Sequence, residues 1–289
     1  MRHHYVPEFL QKPWTGNTTD GKLEVFRLDI SHLPSSRHTP KHTGFDDNLY
    51  ALTKDIVAGM DKQAIEKLFL KNIDNNAALV RDKLEHQGLK SLTPEDKVYW
   101  TRFLMSLRVR QPDIVHMLQQ DATEHLKVKL NGDPEEYEEL ISDDDPPTLK
   151  EWAEEQYPGL IENIGLSFFH KLVDNPLYGN RILSMRWWLW NFHDTPYELL
   201  LSDHPCILTS GIDDPNCIIA LPISPKTAFM ATQSDDVAKI MRQQRPKDLA
   251  MRLNESLVMQ ARVRIYARNQ SPARRFIENR IHKRKIRNS

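Results

Sequence analysis

Glycine is scarce in this chain, with 10 in 289 residues, and cysteine scarcer, with only Cys206 and Cys217. Few glycines leave little material for a loop that wraps phosphates. No P-loop, dinucleotide fingerprint, HExxH helix or GxSxG elbow occurs. The two cysteines stand eleven positions apart in apolar, strand-like stretches. They read as buried free thiols or, alternatively, as one disulfide, and their spacing does not suggest zinc. No apolar run reaches the roughly 18–20 residues a membrane span needs. The opening MRHHYVPEFLQKPW lacks the continuous apolar segment of a secretory signal. The expectation is a cytoplasmic protein without a membrane partner.

What is present fits a globular chain: 39% apolar and 27% charged residues. Net charge is −1 but unevenly spread. Asp133 to Asp145 holds eight carboxylates and no Lys or Arg, whereas Arg262 to Ser289 holds ten Lys and Arg against the single acid Glu278. A basic end of this kind suits a nucleic-acid-binding tail. It equally suits a tail docked on the chain's own acidic loop, or a solvated terminus.

The pattern predicts an α+β fold, mostly helical, with an antiparallel β element formed from the N-terminal segment and residues of about 198–232. Leu23–Leu28 reads as a strand after the turn at Asp20-Gly21. Helices are expected over 61–86, with Ile65, Leu68, Phe69, Ile73, Val80 and Leu84 inward. Another opens at Thr93-Pro94 and runs until Pro112 stops it, with Trp100, Phe103, Leu104 and Leu107 inward. Further helices are expected at about 113–130, 148–156 and 159–173. After Trp187-Trp188-Leu189-Trp190 short β-type runs alternate with turns. A last helix is expected at about 247–268. The chain reads as a single domain over 1–289, with an acidic flexible loop at 133–147 and a basic C-terminal tail at 271–289.

The candidates for chemistry are polar residues in costly places. His3 and His4 sit on an extended opening segment, where neighbours face opposite ways. A neutral imidazole there could bind a metal or move a proton, or simply bond to backbone. Arg110 continues the buried stripe of its helix from Phe103 and Leu107, which calls for a carboxylate or an anionic ligand. It could instead bend out at the helix end. Arg108 lies on the opposite, solvated side. Asp203 ends a β-run, where it could be a ligand or base, or cap a turn. Glu66 reads as a surface acid, and Asp143-Asp144-Asp145 lacks the spacing of a calcium loop.

Taken together these segments resemble the family known as domain of unknown function 4238. The resemblance rests on HHYVPEFL and LEVFRL, then NLYAL at 48–52, Ile65-Glu66, SLRVRQP at 106–112, LLSDHPCIL at 200–208, ALPISPKTAFM at 220–230, and Asn254 with AR-x-RIYA near 261–267. It covers nearly the whole chain. Departures are Leu10-Gln11-Lys12-Pro13-Trp14 in place of a Tyr-Leu-Arg-x-Phe segment, His204 where Asn is common, and the acidic stretch 133–147. The resemblance implies no activity, but it implies that His3, His4, Arg110 and Asp203 do more than pack.

The resulting expectation is a hydrolase, a metal-assisted phosphodiesterase or nuclease. His3, His4, Arg110 and Asp203 would be catalytic, and His4 with Asp203 would hold a divalent Mg, Mn or Zn ion. Arg108, Arg264, Arg268, Arg274 and Arg275 would bind a nucleic-acid substrate, with Tyr266 and Phe276 as stacking surfaces. The alternatives are a non-enzymatic effector that holds nucleic acid or a protein partner, and a metal-independent enzyme acting on a nucleotide with His as acid or base.

Overall fold

The computed structural model describes residues 1–16, 19–53, 61–132, 137, 139–142 and 144–287, with side chains as far as 281. Strands run over Arg2–His4 (β1), Leu23–Arg27 (β2), Ser35–His38 (β3), Phe45–Asp47 (β4), Arg186–Asn191 (β5), Leu201–Ser202 (β6), Ile207–Leu208 (β7), Ile218–Ser224 (β8), Thr227–Thr232 (β9) and Arg264–Ala267 (β10). Helices run over Glu8–Gln11 (α1), Lys71–His86 (α2), Pro94–Val109 (α3), Pro112–Gly132 (α4), Leu149–Gln156 (α5), Leu160–Ser167 (α6), Phe169–Val173 (α7), Pro176–Ser184 (α8), Asp235–Arg242 (α9), Pro246–Gln260 (α10) and Gln270–Arg287 (α11). The fold is α+β with antiparallel sheets, as the pattern predicts, and β1 pairs with β4. The chain gathers into two compact units.

The smaller unit comprises 1–3, 46–72 and 109–174. Its centre is the packing of α4 on α6. Gly165 makes this possible, because a Cβ there would stand 2.5 Å from both the Gln119 Cα and the Leu118 carbonyl oxygen. The Thr148 hydroxyl accepts the Glu151 N–H and donates to the Glu151 carboxylate, closing the first turn of α5. A π-type turn over Ile65–Leu70 precedes α2. The wider turn rotates the stripe it interrupts, so Leu70 goes inward while Leu68, expected inside, is 74% exposed. Most of the acidic stretch, at 133–136, 138 and 143, lies outside the described residues, and with it the expectation of a flexible loop.

The larger unit comprises 4–45, 73–108 and 175–289. One of its four-stranded sheets has the order β3-β2-β10-β6 and the other β5-β9-β8-β7. The tryptophan run itself is β5, an edge strand of the second sheet. The expected helix over 247–268 is corrected: α10 stops at Gln260, and Arg-Ile-Tyr-Ala becomes β10. That strand is central, with Ile265 opposite Phe26 on one side and Ser202 on the other. Its β-branched and aromatic residues suit a strand buried on both flanks. The basic segment after it is helix α11, with Ala273 and Ile277 buried in the same core as Phe26, Leu257 and Ile265. Burying one such side chain as Ile277 contributes about 1.5–3 kcal/mol.

Candidate functional site

In the smaller unit, His3 is fully buried and both ring nitrogens are engaged. Nδ1 accepts the backbone N–H of Tyr50 at 2.8 Å. Nε2 faces the Gln63 side-chain oxygen, which makes it the protonated nitrogen of a neutral ring. The imidazole stacks on the Tyr50 ring, centroids 5.2 Å apart. The Tyr50 hydroxyl donates to the Arg110 carbonyl oxygen at 2.6 Å. Tyr50 therefore joins His3 to Arg110, two of the residues picked out by sequence. Arg110 is fully buried, as its place on the stripe demands, and is engaged within the protein.

In the larger unit, Asp203 is 3% exposed. Its carboxylate accepts the backbone N–H groups of Arg262, Val263 and Arg264 in succession. Its own N–H donates to the Arg264 carbonyl at 3.0 Å. His204 Nδ1 lies 3.4 Å from the same carboxylate. Burial alone would raise the Asp203 pKa, but the bonds from His204, Val263 and Arg264 outweigh it and hold the carboxyl below the usual carboxylate range. This clamp ends α10 and turns the chain into β10. His4 packs against Phe45, ring centroids 5.5 Å apart, with Nε2 3.7 Å from Glu8.

The arginines expected to hold substrate divide into engaged and open ones. Arg264 donates to the Tyr5 hydroxyl. Arg268 pairs with Glu198 at 3.1 Å. Arg274 donates to the Leu33 carbonyl at 2.9 Å and to the Ser35 hydroxyl, and lies over the Phe26 ring. Arg108 and Arg275 are exposed. Tyr266 is fully buried, which removes it as a stacking surface, and Phe276 is half-buried under the Arg280 guanidinium.

A divalent metal needs several open oxygen or nitrogen donors at one point. Among the described residues no three His, Cys, Asp or Glu side chains group in that way. Asp203 has its lone pairs committed to backbone donors, so the pair His4 and Asp203 does not fit a metal site.

Several residues that brace these clusters were not singled out by sequence. Gln11 donates from its amide to the Val6 and Thr43 carbonyls, Tyr5 receives Arg264, and Gln63 completes His3. Asn254 accepts from Leu200 N–H and donates to the Glu198 carbonyl, fixing the run into β6. Tyr5 and Asn254 at least lie inside the segments that carry the resemblance; Gln63 carries no sequence signal of its own.

These pairings define an α+β protein whose distinctive polar residues fasten distant segments of the chain to one another. The family described as "Protein of unknown function (DUF4238)" matches residues 2–271, and the chain belongs to that family. No curated protein and no solved structure matches it. The match covers only the first two residues of α11, so the cations from Arg274 onward lie beyond it.

Proposed function

We propose that this protein is a nucleic-acid-binding component that grips a phosphate backbone through α11. The observation that carries the reading is that the basic end is a helix anchored in a core, not a loose tail. Ala273 and Ile277 fasten one face of α11, and Arg275 is exposed on it. The sequence adds Lys283, Arg284, Lys285 and Arg287 with only Glu278 as an acid. Cations carried on a formed helix displace counterions from phosphates without the backbone first having to be ordered.

If about four of these cations contact phosphates, affinity falls roughly a hundredfold between 50 and 200 mM salt. The test is fluorescence anisotropy with labelled single- and double-stranded DNA and RNA at both salt concentrations. The comparison protein carries Arg275, Lys283, Arg284, Lys285 and Arg287 as Gln, leaving Ala273, Arg274 and Ile277 intact. Weaker binding and a shallower salt slope support the proposal. No binding by the wild type at 50 mM salt ends it. Stronger binding after Asp143, Asp144 and Asp145 are changed to Asn would mean that the acidic stretch competes for the same cations.

A hydrolytic reading, with Mg, Mn or Zn on His4 and Asp203, has less behind it. The committed partners of His3 and Asp203 are those of bracing residues. A nuclease assay with each metal tests it directly.

A further inference from the structure

The larger unit contains a crevice of about 610 Å³ between the β7-β8-β9 part of its second sheet and α10. This volume lies within the range of small-molecule sites. The floor is apolar, built from Ile207, Ile218, Met230, Leu249 and Leu253, and three of its lining residues are methionines: Met230, Met241 and Met259. Thioether chains have three rotatable bonds and adapt to ligands without a fixed outline. That favours a flexible chain over a flat, rigid ring system.

The rim supplies the polar end. Arg252 is exposed on it, and among the described residues it forms no ion pair or hydrogen bond. Glu255, the acid of the lining, is already engaged within the protein. The rim therefore offers one uncommitted cation, with the Ser256 hydroxyl four residues further along the same helix.

We infer that this crevice binds a single-chain amphipathic anion, an acyl carboxylate whose hydrocarbon tail lies on the methionine floor and whose head meets Arg252. The site is independent of α11 and of the nucleic-acid reading. The carboxylate accepts from the Arg252 guanidinium, and the tail removes the apolar floor from water.

The probe is decanoate, with decanol as the neutral molecule of the same chain length. Binding is followed by NMR of methyl-labelled methionine in the full chain, which holds nine methionines. Decanoate is expected to shift the Met230, Met241 and Met259 methyls and leave the others in place. Arg252→Gln is expected to weaken decanoate roughly two- to fivefold, the range of an exposed ion pair, and to leave decanol unchanged. Ser256→Phe, which puts an aromatic ring into the crevice from α10, is expected to block both. Shifts spread over all the methionines, no saturable binding, or equal affinity of wild type and Arg252→Gln for decanoate would each overturn the inference.

Discussion

Asp203 and Arg264 hold each other twice: the Asp203 N–H donates to the Arg264 carbonyl at 3.0 Å, and the Arg264 N–H returns to the Asp203 carboxylate at 2.8 Å. With Arg262 and Val263 bonded to the same carboxylate, one side chain satisfies three consecutive backbone donors. Asp203→Ala would leave those donors without it inside a nearly closed environment. The expected loss is about 3 kcal/mol or more, since each buried unsatisfied donor costs about 1–3 kcal/mol. Urea unfolding measures it. Asp203→Asn keeps an acceptor oxygen and should recover part of the loss; equal loss in both would point away from the backbone bonds.

The same carboxyl gives a pH dependence of definite sign. Its folded pKa is lowered, so its contribution is fully present above the ordinary Asp value of about 3.9 and is lost as pH falls through the lower folded value. Unfolding free energy of the wild type should therefore drop more steeply than that of Asp203→Asn as pH falls from about 5 toward 3. Parallel curves would remove the clamp from the account.

Metal ions should not stabilise the wild type. Binding to the folded state alone would raise the thermal midpoint, and the Asp203 carboxylate proposed as a ligand beside His4 is already committed to three backbone N–H groups. A thermal scan with Mg²⁺, Mn²⁺ and Zn²⁺ checks this. A metal-dependent rise that Asp203→Ala abolishes would return weight to the hydrolase.

Gly165→Ala should be costly, because the atoms its methyl would strike are the backbone of α4, which cannot turn aside as a side chain could. The expected destabilisation is up to about 3 kcal/mol. Gly88→Ala is a useful control for crowding, since nothing lies within 4 Å of a Cβ there and only its φ of +77° opposes the change.

Much of the helical layout was legible because its signals are local. Pro94 and Pro112 sit in the first turn of α3 and α4, where a missing N–H costs nothing. The spacing of Arg110 to Phe103 and Leu107 left a buried place and a bend out at the helix end both open, and the structure buries it. What failed was non-local. No pattern within 247–268 reveals that a carboxylate sixty positions earlier draws the chain out of its helix at Ala261. The π-type turn at Ile65–Leu70 is likewise invisible to a 3.6-residue period, and it carried Leu68 to the surface. Both histidines stand out in the sequence, but the role of His3 depends on Tyr50 and Gln63, which look ordinary there.

The central position of β10 also has a consequence in time. A ribosome delivers β2 more than two hundred residues before β10, yet β2 pairs with β10 on one flank and with β3 on the other. Until residues 264–267 emerge, the β2–β3 hairpin has an unpaired edge along Leu23–Arg27, and Ser202 has no strand to meet. Such an edge is an adhesive surface for other chains. Conditions that stall synthesis before Arg264 should therefore produce aggregation rather than a partly working protein, and the nascent chain has reason to depend on a chaperone that covers strands.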